Sequence, residues 1–195
     1  MKIKLDPAAA SAADAPASID ESGKYVGTFQ SVYLSKMPSG SESVTFKFAD
    51  QNGARARLQL WITKRDGSVS PFGWNLLQSC LMCMKIREIE GTPRLEGDRQ
   101  VEEFHQLVGK PVGLLLQRTF DENNERYPVT MEIVSFFEAA TELTATEIKE
   151  RKKEPVELAK RLARLKAERR IPRREGAAAP ASAGTVISSD DDVPF

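Results

Sequence analysis

The stretch that most constrains the fold is 43–62. Ser43–Ala49 alternates Val44, Phe46 and Phe48 with Thr45 and Lys47, and Ala54–Ile62 alternates Ala54, Ala56, Leu58, Leu60 and Ile62 with Arg55, Arg57, Gln59 and Trp61. A period of two sends successive side chains to opposite faces of a strand, so each run has one apolar and one polar face. Asp50-Gln51-Asn52-Gly53 joins the runs, and Asn-Gly accepts the positive φ of a tight turn. The expectation is a β-hairpin whose apolar face enters a core. Arg55, Arg57 and Trp61 then project outward together, with Lys47 and Thr45 beside them. Cationic groups neutralise phosphates, and an exposed indole stacks on a base at about 1–3 kcal/mol, so this face carries the chemistry of a single-strand binder. A solvated face whose tryptophan is covered by a loop is the competing reading of the same residues.

Upstream, residues 1–22 are rich in Ala, Ser and Asp and show no sustained period, which reads as a disordered arm. Lys24–Ser35 alternates with both faces partly apolar, as in the first strand of a small barrel, and Gly27 permits a bend there. Thr63–Gly73 reads as a loop carrying Lys64, Arg65 and Phe72, and Trp74–Lys85 as a buried helix. Cys80 and Cys83 on that helix have half a zinc site's spacing without the other half, because the sole histidine is His105; a packed core helix is the expectation. Ile86–Gly97 reads as an irregular link and Arg99–Val108 as a small helix. Val112–Phe120 is a strand with a near-continuous apolar run, and Tyr127–Phe137 is the last strand. Arg118 and Tyr127 flank this second hairpin and extend the candidate binding face.

Five strands, with helical matter between the third and fourth, match the order of an OB-fold. The expected class is therefore mainly β, an OB-like barrel over residues 23–140 with a helical insertion.

The 195-residue chain has 28 basic and 28 acidic residues, yet its neutrality is composite. Between Lys149 and Arg174 stand twelve Lys/Arg against four Glu, the charge asymmetry of a nucleic-acid or interaction arm. Within this 141–174 segment, Thr144 or Thr146 is a candidate N-cap, and Val156–Arg170 reads as a basic helix with a narrow stripe of Leu158, Leu162 and Leu165. Docking on the barrel, self-association and phosphate binding are all open to it. Residues 175–187 form a low-complexity linker. Met1–Ala15 has no apolar core and no apolar run reaches membrane-span length, so a soluble, cytoplasmic protein is expected.

The last residues, Asp190-Asp191-Asp192-Val193-Pro194-Phe195, place three carboxylates before an apolar pair and an aromatic residue, within a tip of 188–195. Such a string on a flexible tether suits an apolar pocket rimmed by Lys or Arg. It resembles the C-terminal tip of bacterial single-stranded DNA-binding proteins, with Val where Ile is usual. More broadly, the order of elements resembles phage-encoded single-stranded DNA-binding proteins, which join an OB-like core to an acidic, Phe-ended tail. The resemblance implies partner recruitment through Asp190–Phe195 in replication, recombination or repair, with single-stranded DNA bound by the barrel.

No Gly-rich phosphate loop or nucleophile constellation is present, so neither catalysis nor a cofactor is expected. Candidate strand contacts are Lys47, Arg55, Arg57, Trp61, Lys64, Arg65, Phe72, Arg118 and Tyr127. A non-enzymatic protein adaptor and an RNA-binding or annealing protein are the alternatives, and a homo-oligomer is compatible with all three.

Overall fold

The computed structural model describes residue 4 and residues 16–173; the linker and the acidic tip lie outside them. The chain is mainly β. Strands β1 (Gly23–Lys36), β2 (Glu42–Asp50) and β3 (Arg55–Trp61) are followed by helix α1 (Pro71–Cys83). Strands β4 (Thr92–Glu96) and β5 (Arg99–Glu103), a 3₁₀ turn at His105–Leu107, and strands β6 (Pro111–Asp121) and β7 (Val129–Phe137) come next. Helices α2 (Ala145–Lys149) and α3 (Val156–Arg164) and strand β8 (Arg169–Ile171) complete the described chain. The strands form one open, largely antiparallel sheet ordered β3-β2-β1-β5-β4, with β6 pairing β1, β7 and β8. No ladder joins β3 to β7 among the described residues, so a closed five-stranded barrel is not what the backbone forms.

The 43–62 hairpin forms as expected, and its register sets Phe46 opposite Leu58 and Lys47 opposite Arg57. Gly53 takes φ +85° in the turn, and the Asp50 carboxylate accepts from the Asn52 and Ala54 amides at 2.9 and 2.8 Å. β1 explains why both its faces read as apolar. Its pairing with β2 shifts register between Phe29 and Ser31, so one extra residue lets both Phe29 and Val32 enter the core. Phe29, Phe46 and Phe136 pack ring to ring at 5.0 and 5.9 Å between centroids. At Gly27, flanked by both β2 and β6, a side chain would overlap the Ala49 carbonyl.

The apolar run of β6 divides between two cores. Leu114 and Leu116 face the main one, whereas Leu115 packs on the opposite side with Phe137 and Leu158 of α3. The basic helix therefore docks on the sheet through Leu158, with Leu165 packed alongside. It is shorter than expected: it ends at Arg164, and Arg169–Ile171 pairs in parallel with Thr119–Asp121. Thr144 is the N-cap residue of α2. Its amide and hydroxyl donate to the Glu147 carboxylate at 2.9 and 2.8 Å, and the other carboxylate oxygen accepts from the Glu157 amide of α3 at 2.8 Å. Burial opposes the charge of Glu147, but the Glu157 and Thr144 hydrogen bonds prevail and hold its carboxyl below the usual range.

Two expectations fail for local reasons. The segment 86–108 contains a hairpin rather than a link and a helix. Gly97 (φ +61°) and Asp98 form a two-residue turn that sets Glu96 opposite Arg99, and Gly-Asp between short runs is a hairpin signal. Residues 17–22 also belong to the folded body rather than to a disordered arm. The Ile19 amide donates to the Arg55 carbonyl at 2.8 Å, the Arg55 amide to the Ala17 carbonyl at 2.7 Å, and Ile19 is buried.

Candidate nucleic-acid interface

The outer face of the hairpin forms from the side chains left over when Val44, Phe46, Phe48, Leu58 and Leu60 are buried. Along β3 these are Arg55, Arg57, Gln59 and Trp61, about 7 Å apart in turn. Trp61 ends the row and is 45% exposed, which removes the reading in which a loop covers it. Its ring lines a groove of about 690 Å³ with Met37, Pro38, Lys64 and Arg65.

Two loops build that groove. In the first, Gly40 (φ +86°) lets the chain after β1 turn back, with its amide on the Met37 carbonyl at 2.9 Å. In the second, the Lys64 amide donates to the Ser68 carbonyl at 2.8 Å, and Asp66 accepts from the Ser68 amide at 2.9 Å and hydroxyl at 2.6 Å. Those bonds to Ser68 lower the Asp66 pKa and turn its carboxylate onto its own loop. Neither Lys64 nor Arg65 forms an ion pair within 4.0 Å among the described residues, although the Asp66 carboxylate is near enough to feel the Lys64 charge.

The middle of the face is different, because the β4–β5 hairpin folds toward it. β5 pairs with β1 at Tyr33 and Leu34, and Glu96 reaches the Lys47 ammonium at 2.5 Å. Arg94 bridges Glu96 and Glu103, and Glu103 accepts from Ser31 at 3.0 Å. The Lys47 hydrogen bond holds Glu96 below the ordinary carboxylate range, and the Arg94 hydrogen bond does the same for Glu103. Arg57 donates to the Tyr33 hydroxyl at 3.2 Å. Lys47 therefore lies on the expected face but is already engaged, whereas Arg55 is exposed at the start of β3.

The remaining expected contacts scatter. Phe72 is 69% exposed at the start of α1, beside the groove without lining it. Arg118 is held on β6 by Glu168 at 3.1 Å and by the Asp20 carbonyl at 2.9 Å. Tyr127 is exposed before β7, with the Arg126 guanidinium 5.3 Å from its ring centroid. Neither lines the groove. Asp190, Asp191, Asp192, Val193, Pro194 and Phe195 lie outside the described residues.

Sequence reasoning assigned Trp74 to the buried helix, but it is 44% exposed. The spacing gave no warning: Trp74 stands three and seven residues before Leu77 and Leu81, in line with them at the margin of the buried face. Cys80 and Cys83 are buried, and burial pushes the Cys83 thiol up to about 12 and Cys80 well above its ordinary value. Among the described residues no cluster of His, Cys, Asp or Glu is placed to hold a metal, and no helix is long and apolar enough to cross a membrane. No protein-family model matches the chain, and no curated protein matches it.

Proposed function

We propose that this chain is a single-stranded DNA-binding protein of phage type, acting without catalysis, whose strand passes over the Trp61 groove. The observation that carries the reading is the half-exposed Trp61 indole set in one groove with the cations Lys64 and Arg65. An exposed indole beside cations stacks a base while the flanking charges take phosphates, which gives affinity with little sequence preference. Arg57 and Arg55 continue the basic row along β3.

An OB-like framework supports the same reading. β1 is shared between β2–β3 on one side and β6–β7 on the other, with α1 between the third strand and the later ones. The difference from a full OB barrel is at β3 and β7, where α1 packs against both. The segment Asp190–Phe195 is proposed to recruit replication, recombination or repair proteins, on its three carboxylates followed by Val-Pro-Phe.

The test is binding of labelled oligo(dT) and of duplex DNA by the full chain, followed by anisotropy across a salt series. Tighter binding to the single strand, falling with salt and weakened in Trp61→Ala, is the expected result. Absence of salt-sensitive binding to the single strand would sink the proposal and leave the protein adaptor as the reading.

A further inference from the structure

We infer that Trp74 is a second base-stacking platform, so that the bound strand turns from the Trp61 groove around the edge of β3 and over the first turn of α1. The inference rests on the proposed single-strand binding and extends its footprint to an element that the outer hairpin face does not include.

Three observations meet at this place. The first is a backbone contact: a side chain on Gly73 would overlap the Trp61 carbonyl oxygen, so α1 begins in direct contact with the end of β3. Trp74 follows Gly73 directly, which puts the α-carbons of the two tryptophans within about 10 Å of each other. The second is exposure. Val69, Phe72 and Trp74 are all exposed within six residues, and among the later apolar residues of α1 only Met82 is exposed as well. The fold does not need these rings outside. The third is charge: the thirteen residues of α1 include no Lys, Arg, Asp or Glu. On a chain in which 29% of residues are charged, an uncharged exposed aromatic turn is set apart from the surrounding surface.

Continuity selects the occupant. The turn adjoins the groove that ends at Ser70, one residue before α1, and Lys64 and Arg65 stand on the groove side while α1 itself has no charged residue. A strand anchored by phosphates at Lys64 and Arg65 presents its next base to Trp74, whose ring stacks without regard to sequence; Phe72, two residues earlier on the helix, faces another side. Gly73 is the joint: any larger residue would drive α1 off β3 and separate the two platforms.

The chain has only two tryptophans, so each can report alone. Trp74→Phe leaves Trp61 as the sole emitter, and Trp61→Phe leaves Trp74. Both full-length variants are titrated with oligo(dT) of increasing length. The inference expects quenching of both indoles, with Trp74 requiring a longer oligomer than Trp61. It also expects Trp74→Ala to weaken binding of the longer oligomers by about 5- to 150-fold, the loss of one stacked base. Quenching of Trp61 with Trp74 unmoved would overturn the inference and leave the Trp61 site standing. Silence from both would overturn the two together. The Trp61→Phe titration leaves Trp74 itself unaltered, so the outcome does not depend on Trp74→Ala folding.

Discussion

Two regions of this molecule are basic in sequence, and the structure treats them differently. The 149–174 segment has the greater surplus of positive charge, and it divides: Lys152 pairs with Glu150, Lys160 with Glu157, Arg169 with Glu132, Arg170 with Glu168 and Arg173 with Glu125, whereas Lys149, Arg151, Lys153, Arg164 and Lys166 are exposed with no ion pair among the described residues. Arg161 donates to the Ser135 hydroxyl at 2.9 Å, on the side of α3 that packs over β7. The Trp61 groove has only Lys64 and Arg65, but both are free of ion pairs among the described residues and stand beside an exposed ring. The contrast teaches that neither a count of charges nor their freedom from carboxylates locates a single-strand site by itself; the groove differs in setting its cations beside an exposed ring. Leu158 ties the C-terminal segment to the sheet, and the groove is the proposed interface.

The strongest way to break that contrast is Leu158→Ala. Leu158 joins Leu115 and Phe137 in the smaller core, and truncation of such a residue costs about 2–3 kcal/mol at a site that can partly collapse. Urea unfolding should show that loss, while single-strand affinity at a temperature where the variant is folded stays unchanged. Lost affinity with unchanged stability would reverse the assignment of the two regions.

Glu147 is the next lever on the same region. It is buried, and its carboxylate ties the start of α2 to the start of α3. Glu147→Gln replaces an acceptor with an amide facing backbone N–H groups, at a cost of about 1–3 kcal/mol. Acid should act in the same direction. A carboxyl held below its ordinary pKa in the folded state stabilises that state above its unfolded value of about 4.3, and the contribution disappears as pH falls through the lower folded value. The protection factor of the Glu157 amide, the exchange rate of an unstructured amide at the same pH divided by its own, should therefore fall as the pH drops below about 4.3 in the parent and already be low at neutral pH in Glu147→Gln. Equal protection in both proteins would show that the α2–α3 junction does not depend on this carboxylate.

Much of this contrast is legible in the residues, and the illegible part has physical causes. The 43–62 hairpin was readable because strict alternation and an Asn-Gly turn agree with each other, and Trp61 was correctly placed on its outer face. The β4–β5 hairpin was not, because Val101, Phe104 and Val108 imitate helical spacing while the decisive Gly97–Asp98 turn is only two residues long. β1 looked ambiguous because a bulge changes which residues face inward midway along it. The engagement of Lys47 and Arg118 could not be read from sequence, since Glu96 and Glu168 are 49 and 50 residues away from them. The docking of α3 left a trace in the uninterrupted Leu114-Leu115-Leu116, which only a strand covered on both faces requires.

On the groove side, neutralising Lys64 and Arg65 together should remove two phosphate contacts. For a single strand each contact contributes about 0.7 to the slope of log affinity against log salt, so the double alanine variant should lose roughly 1.4 from that slope. The matched control, Arg169→Ala with Arg170→Ala, should leave the slope as it is, because those cations face Glu132 and Glu168. An equal drop in both pairs would erase the distinction between the regions.

The smallest expected effect sharpens the boundary of the interface rather than its existence. Lys47 lies on the same face as Arg57 and Trp61, but Glu96 holds it at 2.5 Å. A phosphate approaching Lys47 must displace that carboxylate, which the far end of the β4–β5 hairpin carries beyond its backbone pairing with β1 at Tyr33 and Leu34. Glu96→Gln removes the competing charge while keeping the side chain's length, and Glu103 still anchors Arg94. If the strand runs along β3 past Arg57, affinity should rise a few-fold and the salt slope should steepen by about 0.7, the contribution of one added phosphate contact. An unchanged slope would place Lys47 off the strand's path and confine the interface to the Trp61 end of the sheet. A weaker affinity would show that the carboxylate's role is to fix the hairpin in place, so that Glu96 supports the face instead of competing for it.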